Sequence, residues 1–229
     1  MKYLVIIPAR GGSKGLVNKN IMPLHGIPLI HYTLKAAREV FEDCDICVTT
    51  DSLAIIEVVE QIGLKVPFVR PDELATDQAG TEDVLRHALH FYEQQGKVYD
   101  YIVLLQPTSP LRNGLHIKEA LKLISEKTEM IVSVKETDAN PYYVLFEEDG
   151  YGILEKSKKA LFTRRQDCPV VYQLNGAIYL IKIDVFKAKS LAELAKEKYL
   201  MDKWVSVDID DLMDFKIAEL IIKELNGKN

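Results

Sequence analysis

The chain has 229 residues, 48% of them hydrophobic, with a formal net charge of −5. That length suits one sizeable domain whose core needs neither metal nor disulfide. An acidic balance excludes a general nucleic-acid binder, three cysteines make no disulfide framework, and no apolar run reaches membrane-spanning length; the expected setting is a reducing cytoplasm, with no nucleic-acid and no membrane partner.

The first element is the apolar run Tyr3-Leu-Val-Ile-Ile7, which reads as a buried strand. It empties into Pro8-Ala-Arg-Gly-Gly-Ser-Lys-Gly-Leu-Val-Asn-Lys-Asn20, a loop of glycine and positive charge. Its glycines let backbone N–H groups turn inward and approach a ligand closely. At the carboxyl end of the first strand of an α/β sheet, polyphosphate is the natural occupant. The spacing is neither that of a Walker loop nor that of a dinucleotide fingerprint. Pro23, Gly26 and Pro28 keep the chain out of a helix until about Leu29. The stretch reads as a lid over a triphosphate, or else as a solvated Gly/Lys loop.

Strand and helix patterns then alternate. Strands are expected at Tyr3–Ile7, Ile46–Thr49, Lys65–Val69, Tyr101–Leu105 and Met130–Val134, and helices at Leu29–Phe41, Leu53–Ile62, Thr81–Gln95 and Leu115–Ser125. Continuous apolar strands imply a sheet covered on both faces, and the alternation implies parallel strands with right-handed crossovers. Cys44 and Cys47 straddle the start of a strand, where residues three apart point to opposite faces, so they suit neither chelation nor a bridge. Arg70-Pro-Asp-Glu-Leu-Ala-Thr-Asp-Gln-Ala-Gly-Thr81 offers short polar groups that could read a base edge, with Thr81 also a candidate helix cap. His87 and His90 lie one helical turn apart without a third ligand and read as ordinary helix residues. Gln106-Pro-Thr-Ser-Pro-Leu-Arg112 combines two rigid prolines with hydrogen-bonding side chains, which suits a hydroxyl-rich ligand or simply a well-capped loop.

After Val134 the rhythm breaks, and residues 135–169 read as an inserted β-rich arm with a strand at Tyr142–Phe146. Arg164-Arg165-Gln166 contains an arginine pair able to clamp a carboxylate, though such pairs are commonly solvated. A second apolar strand is expected at Ala177–Ile181 after Asn175-Gly176, then short helices and a strand at Trp204–Ile209. On that strand Ser206, Asp208 and Asp210 would share one face, with the carboxylates about 6–7 Å apart and able to hold a hard cation. Asp is also a common helix cap, and Asp210 or Asp211 would cap the closing helix Leu212–Leu225.

Taken in order, Ile7-Pro-Ala-Arg-Gly-Gly-Ser-Lys-Gly15 with Lys19-Asn20, Arg70-Pro71 with Glu73-Leu-Ala75, Leu105-Gln-Pro-Thr-Ser-Pro-Leu-Arg112, Arg165-Gln166, Asn175-Gly-Ala-Ile-Tyr179 and Asp208-Ile-Asp210 resemble the acylneuraminate cytidylyltransferases. The resemblance runs from Ile7 to Asp210. It implies an α/β, Rossmann-like nucleotidyltransferase fold with a mostly parallel sheet, helices on both faces, and a protruding dimerisation arm at 135–169. It implies transfer of CMP from CTP to the anomeric hydroxyl of a nine-carbon 2-keto acid sugar, with Mg²⁺ as cofactor and a homodimer, or dimer of dimers, as the assembly. On this resemblance Ala9, Arg10, Ser13, Lys14, Lys19, Asn20, Arg70, Ala79 and Thr81 bind the nucleotide. Gln106, Arg165, Gln166, Asn175 and Tyr179 face the sugar. Asp208 and Asp210 hold the metal, and Asp208, Arg10 and Lys19 serve catalysis. Tyr142 and Tyr143 follow Pro141 where family members often place lysine, and Ser190-Leu-Ala-Glu-Leu194 stands where they carry paired phenylalanines. Legionaminate, a pseudaminate-like sugar, keto-deoxy-nonulosonate and the eight-carbon keto-deoxy-octulosonate are therefore alternative acceptors. A nucleotide-sensing module without catalysis is the non-enzyme alternative.

Overall fold

A computed structural model describes residues 1–12, 15–76 and 78–226. Six strands make the central sheet: β1 (Tyr3–Pro8), β4 (Ile46–Thr49), β5 (Tyr101–Leu104), β6 (Met130–Glu136), β9 (Tyr172–Lys182) and β10 (Lys196–Leu200). The short pairs β2 (Pro23–Leu24) with β3 (Ile27–Pro28), and β7 (Phe146–Glu148) with β8 (Leu154–Lys156), form two-stranded sheets of their own. The helices are α1 (Leu29–Arg38), α2 (Leu53–Glu60), α3 (Thr81–Gln94), α4 (Gly114–Leu121), α5 (Ile183–Ala188) and α6 (Leu212–Asn226).

The strand order is β10-β6-β9-β5-β1-β4. β1 runs parallel to β4 and β5, β10 parallel to β6, and β9 antiparallel to both β5 and β6. Five strands therefore run one way and β9 runs against them, as a mostly parallel sheet requires.

Period-two alternation divides the core between the two faces. Leu4, Ile6, Cys47, Ile102 and Leu104 pack with Leu85, Ala88 and Leu89 of α3 and Phe186 of α5. Val5, Ile7, Ile46, Val48 and Val103 pack with Ile30 and Leu34 of α1, Ile55 and Val59 of α2, and Ile117 of α4. Each such aliphatic side chain, buried completely, contributes roughly 1.5–3 kcal/mol. A third cluster seats Phe215, Ala218 and Ile222 of α6 on Leu24, Leu29, Leu111 and Ile209.

Three expected strands differ from the fold. Lys65–Val69 contributes only one parallel bridge, Thr50 to Val69, because Pro67 lacks the N–H a ladder needs. Trp204–Ile209 is no strand: Asp202 caps a turn at Lys203–Val205 by accepting from the Trp204 amide at 2.8 Å, and the chain beyond runs without a ladder. The parallel edge is taken instead by β10, whose Lys-Glu-Lys start hid it as a charged edge strand. At Tyr142–Phe146 the Asn140 carbonyl accepts from the amides of Tyr143 and Val144, at 3.0 and 2.9 Å, winding a turn. The strand begins only at Phe146. Cys44 is exposed and Cys47 buried on β4, so the pair is separated as its spacing predicts. Among the described residues no helix is long and apolar enough to cross a membrane.

Candidate active site

The chain goes from β1 through α1 to β4 on one side, then crosses back through α3 to β5 on the other side of β1. This reversal opens a crevice between the carboxyl ends of β1 and β5, the place where open α/β sheets bind ligands. A cleft of about 560 Å³ lies there. It is lined by Arg10, Gly15, Lys19 and Asn20 after β1, by Arg70, Thr76, Ala79 and Thr81 before and at the start of α3, by Gln106–Thr108 after β5, and by Asp210. Residues expected from four separate stretches thus meet in one cleft. Ser13 and Lys14 lie outside the described residues.

The β1 loop is tied down at several points. Asn20 is buried and donates its amide to the Arg10 carbonyl at 3.1 Å. The Gly11 N–H donates to Asp51 Oδ1 at 3.0 Å, and Arg10 reaches the Thr76 carbonyl at 3.4 Å. Lys19, only 8% exposed, donates from Nζ to the Ile209 carbonyl and lies 3.4 Å from Asp210 Oδ1. Gly15 presses against the Asp210 carbonyl so closely that a Cβ there would overlap it. The β1 loop and the carboxylate loop are therefore in contact, which the sequence places 195 residues apart (210 − 15).

Arg70 is buried, donating to the Thr49 hydroxyl at 3.1 Å and to the Thr49 carbonyl. Burial and the nearby Arg10 lower its pKa, while Asp51 opposes this. Ala79 lines the cleft, and its N–H donates to the Thr76 hydroxyl at 3.2 Å. Thr81 also lines the cleft but does not cap α3; Gly80 holds the cap position, with no side-chain bond. Ala9 supplies backbone only: its side chain is buried and its N–H extends the sheet to the Thr49 carbonyl at 3.0 Å.

Asp208 is half-buried. Burial raises its pKa, Asp210 adds to the rise, and a hydrogen bond from the Thr108 side chain and the Lys19 charge oppose it. Its buried Oδ1 has no hydrogen-bond partner among the described residues. Gly176, at φ 73°, passes so near that a Cβ would sit 3.1 Å from Asp208 Oδ2 and 2.9 Å from Gln106 Oε1. Tyr179 on β9 also feels the Asp208 charge; burial first and that charge second raise its pKa. Asp210 is exposed, and Asp211 caps α6, accepting from the Met213 and Asp214 amides at 2.7 and 3.0 Å. Capping by Asp211 leaves Asp208 and Asp210 unused by the helix. An unsatisfied buried carboxylate oxygen beside a second carboxylate suits a hard cation. Among the described residues no cluster of three or more His, Cys, Asp or Glu forms a metal site. One or two carboxylates with ligand phosphates completing the shell is the pattern of Mg²⁺.

The expected sugar-side residues divide. Gln106 lines the cleft and Tyr179 lies beside Asp208. Asn175 is 1% exposed, with its amide engaged on both sides by Ser133 and Ser206; its side chain does not face the cleft. Arg165 and Gln166 sit in an exposed turn of the arm, Arg165 paired with Asp138, and do not line the cleft. Two supports went unassigned in the sequence reading. Asp51 holds Gly11, and Arg112, 2% exposed, donates to the Ala177 carbonyl (3.1 Å), the Thr33 hydroxyl (2.8 Å) and the Gln106 carbonyl (3.0 Å). An arginine closing an apolar, proline-rich stretch was the only signal of the second.

A strand-switch crevice with a glycine and cation loop on one side and Asp210 on the other is the arrangement of an α/β protein that binds its ligand at the switch point. The chain belongs to the cytidylyltransferase family, whose model matches residues 4–219. It is 39% identical over 230 residues to the N-acylneuraminate cytidylyltransferase of Escherichia coli O18:K1:H7, covering 98% of this chain and 53% of that protein. It is 35% identical to the CMP-N,N'-diacetyllegionaminic acid synthase of Legionella pneumophila, covering 99% of this chain and 98% of that one. The chain spans about half the length of the N-acylneuraminate cytidylyltransferases it matches. A solved CMP:2-keto-3-deoxy-manno-octonic acid synthetase complexed with CTP shares the fold, with a TM-score of 0.74 at 17% identity over 98% of this chain and 100% of that one.

Proposed function

We propose that the chain is a cytidylyltransferase that moves CMP from CTP to the anomeric hydroxyl of a nine-carbon 2-keto acid sugar and releases pyrophosphate. The observation that carries this reading is the contact between the two loops. Arg10, Lys19 and Asp210 line one cleft, with Gly15 against Asp210, and Asp208 lies behind them, hydrogen-bonded to the cleft residue Thr108 and within reach of the Lys19 and Asp210 charges. A triphosphate laid along the first loop would present its α-phosphorus to a hydroxyl held by the second. The family membership and the named relatives support CTP as the donor and a nonulosonate as the acceptor.

In this reading Arg10, Lys19, Ser13 and Lys14 bind the phosphates, and the first two offset charge that gathers on them as pyrophosphate departs. Arg70, Ala79 and Thr81 form the base and ribose end of the cleft, and Asn20 fixes the loop through the Arg10 carbonyl. Asp208 accepts or orients the proton of the attacking C2 hydroxyl. Asp208 and Asp210 would hold Mg²⁺, which when bound neutralises phosphate charge. Gln106 and Tyr179 contact the sugar. Residues 135–169 form the arm of a homodimer; on that arm, outside the cleft of its own chain, Arg165 would offer the carboxylate of a sugar in the partner subunit's cleft a bidentate guanidinium, with Gln166 contacting the same sugar.

Legionaminate-type sugars are the second acceptor reading. It is favoured by Tyr142-Tyr143 after Pro141 and by the match over nearly the whole length of the legionaminic acid synthase. The test is pyrophosphate release with CTP and Mg²⁺ across a panel of eight- and nine-carbon 2-keto acid sugars. Release with at least one nine-carbon acid is the expected result; no release with any of them removes the proposal.

A further inference from the structure

The segment carrying Asp208 and Asp210 receives no ladder from the sheet, so its position must be set some other way. We propose that Asn175, acting with Ser133 and Ser206, is the positioning residue for this carboxylate loop, rather than a sugar contact; the proposal rests on the functional reading above.

The network starts where β6 and β9 lose register, between Val132 and Val134. Ser133 sits at that irregularity. Its hydroxyl accepts from the Ile178 N–H at 2.7 Å and donates to Asn175 Oδ1 at 2.6 Å. The same Oδ1 accepts from the Ala177 N–H at 3.2 Å. On its other side the Asn175 amide nitrogen donates to Ser206 Oγ at 2.9 Å, and the Ser206 hydroxyl donates to the Asp202 carbonyl at 2.7 Å. Ser133, Asn175 and Ser206 are 0–1% exposed. With its two amide hydrogens aimed outward, at Ser206 and at the Met201 sulfur 3.4 Å away, and its acceptor doubly used, only an amide satisfies both ends. Serine, aspartate or alanine at 175 would each leave buried groups unpaired.

This chain of bonds leads from the sheet interior to the residue two before Asp208. From there the loop is pinned by the Ile209 N–H donating to the Thr108 carbonyl at 2.8 Å. The backbone on either side of Asn175 adds to the fit. Ser109 Oγ donates to the Asn175 carbonyl at 3.2 Å, and the next residue, Gly176, forms the wall against which Asp208 Oδ2 rests. A residue so placed sets the depth and angle of Asp208 without touching substrate. To reach a sugar its amide would have to abandon a fully satisfied buried network.

The discriminating variant is Ser206→Ala, which removes one hydroxyl from a small buried side chain, with Asn175→Ala as the second. Two readouts are taken, steady-state kinetics and hydrogen exchange of the peptide spanning residues 202–211. Ser206→Ala should speed exchange in that peptide about tenfold or more while leaving β5 and α3 unchanged. It should lower kcat by roughly 10–100-fold with the sugar KM within about twofold of wild type. Asn175→Ala, where it folds, should show the same split. Unaltered exchange in residues 202–211 of Ser206→Ala overturns the proposal, as does a raised sugar KM at unchanged kcat in Asn175→Ala. If the wild-type chain releases no pyrophosphate with any sugar, the functional reading fails instead, and the exchange experiment still decides the network.

Discussion

Gly15→Ala probes the contact on which the site depends. A Cβ at Gly15 would overlap the Asp210 carbonyl oxygen and lie 3.4 Å from its carbonyl carbon. Unstrained heavy atoms sit about 3.5–4.0 Å apart, so the two backbones must separate by on the order of 1 Å. Neither yields freely. The Asp210 side is pinned through Ile209 by Thr108 and Lys19, and the loop side by Asn20 and Asp51. Misplacing the reacting groups by about 1 Å costs roughly 10²-fold in turnover, or about 2.7 kcal/mol of barrier. Stability should change little, by about 1 kcal/mol or less, because Gly15 is exposed and outside the core. Gly12 supplies the control from the same loop: among the described residues nothing lies within 4 Å of a Cβ built there, so Gly12→Ala should keep kcat within about threefold. Pyrophosphate release at saturating CTP and sugar, with thermal melts alongside, reads all three proteins. Gly15→Ala at near wild-type turnover, or equal losses in both variants, refutes the reasoning.

Asp208→Asn should lower kcat by about 10²–10⁴-fold and leave CTP affinity, read by calorimetry, within a few-fold; near wild-type turnover would remove Asp208 from the chemistry. Arg112→Ala strips partners from Thr33, Gln106 and Ala177 in the interior and should cost about 3 kcal/mol or more in urea unfolding. Arg112→Lys should recover little of this, since the planar fork is lost; a loss under about 1 kcal/mol in the alanine variant contradicts the supporting role. Thiol labelling followed by mass spectrometry should modify exposed Cys44 at once and Cys47 only as the protein unfolds. Burial pushes the Cys47 thiol from 9.0 to about 12. The unfolded chain therefore loses that proton first, and the thiol's contribution to stability, full below pH 9, should decline as pH rises toward 12. Alkaline unfolding of Cys47→Ala should show a shallower decline over that range than wild type; an unchanged slope contradicts the assignment.

How much was legible follows from what each signal depends on. Buried strands such as Tyr101–Leu104 announce themselves by apolar runs, and helices by their 3.6-residue period, so most of the first half of the fold, Lys65–Val69 apart, could be read directly. β10 could not, because an edge strand beginning Lys-Glu-Lys carries the charges that a loop would. Ser206–Ile209 failed in the opposite sense. Its written alternation does not carry into burial: Ser206 and Ile209, three apart, are both buried, because turn and loop hydrogen bonds hold the segment where a ladder was expected. The cleft-lining side chains stood out because cations and carboxylates in an acidic chain need a reason. Asn175 was visible as a residue worth noticing, but its burial depends on Ser133 and Ser206, respectively 42 and 31 positions away in sequence. The Gly15–Asp210 contact is likewise a property of the fold and of no local pattern.

The most direct test of CMP transfer is phosphorus NMR of the chain with CTP, Mg²⁺ and a nine-carbon 2-keto acid sugar carrying ¹⁸O at its anomeric hydroxyl. The account predicts loss of the three CTP resonances, equal growth of pyrophosphate and one phosphodiester, and an isotope shift on the phosphodiester signal from the bridging ¹⁸O. A phosphodiester without that shift, or CTP consumed to CMP with no sugar attached, would contradict it.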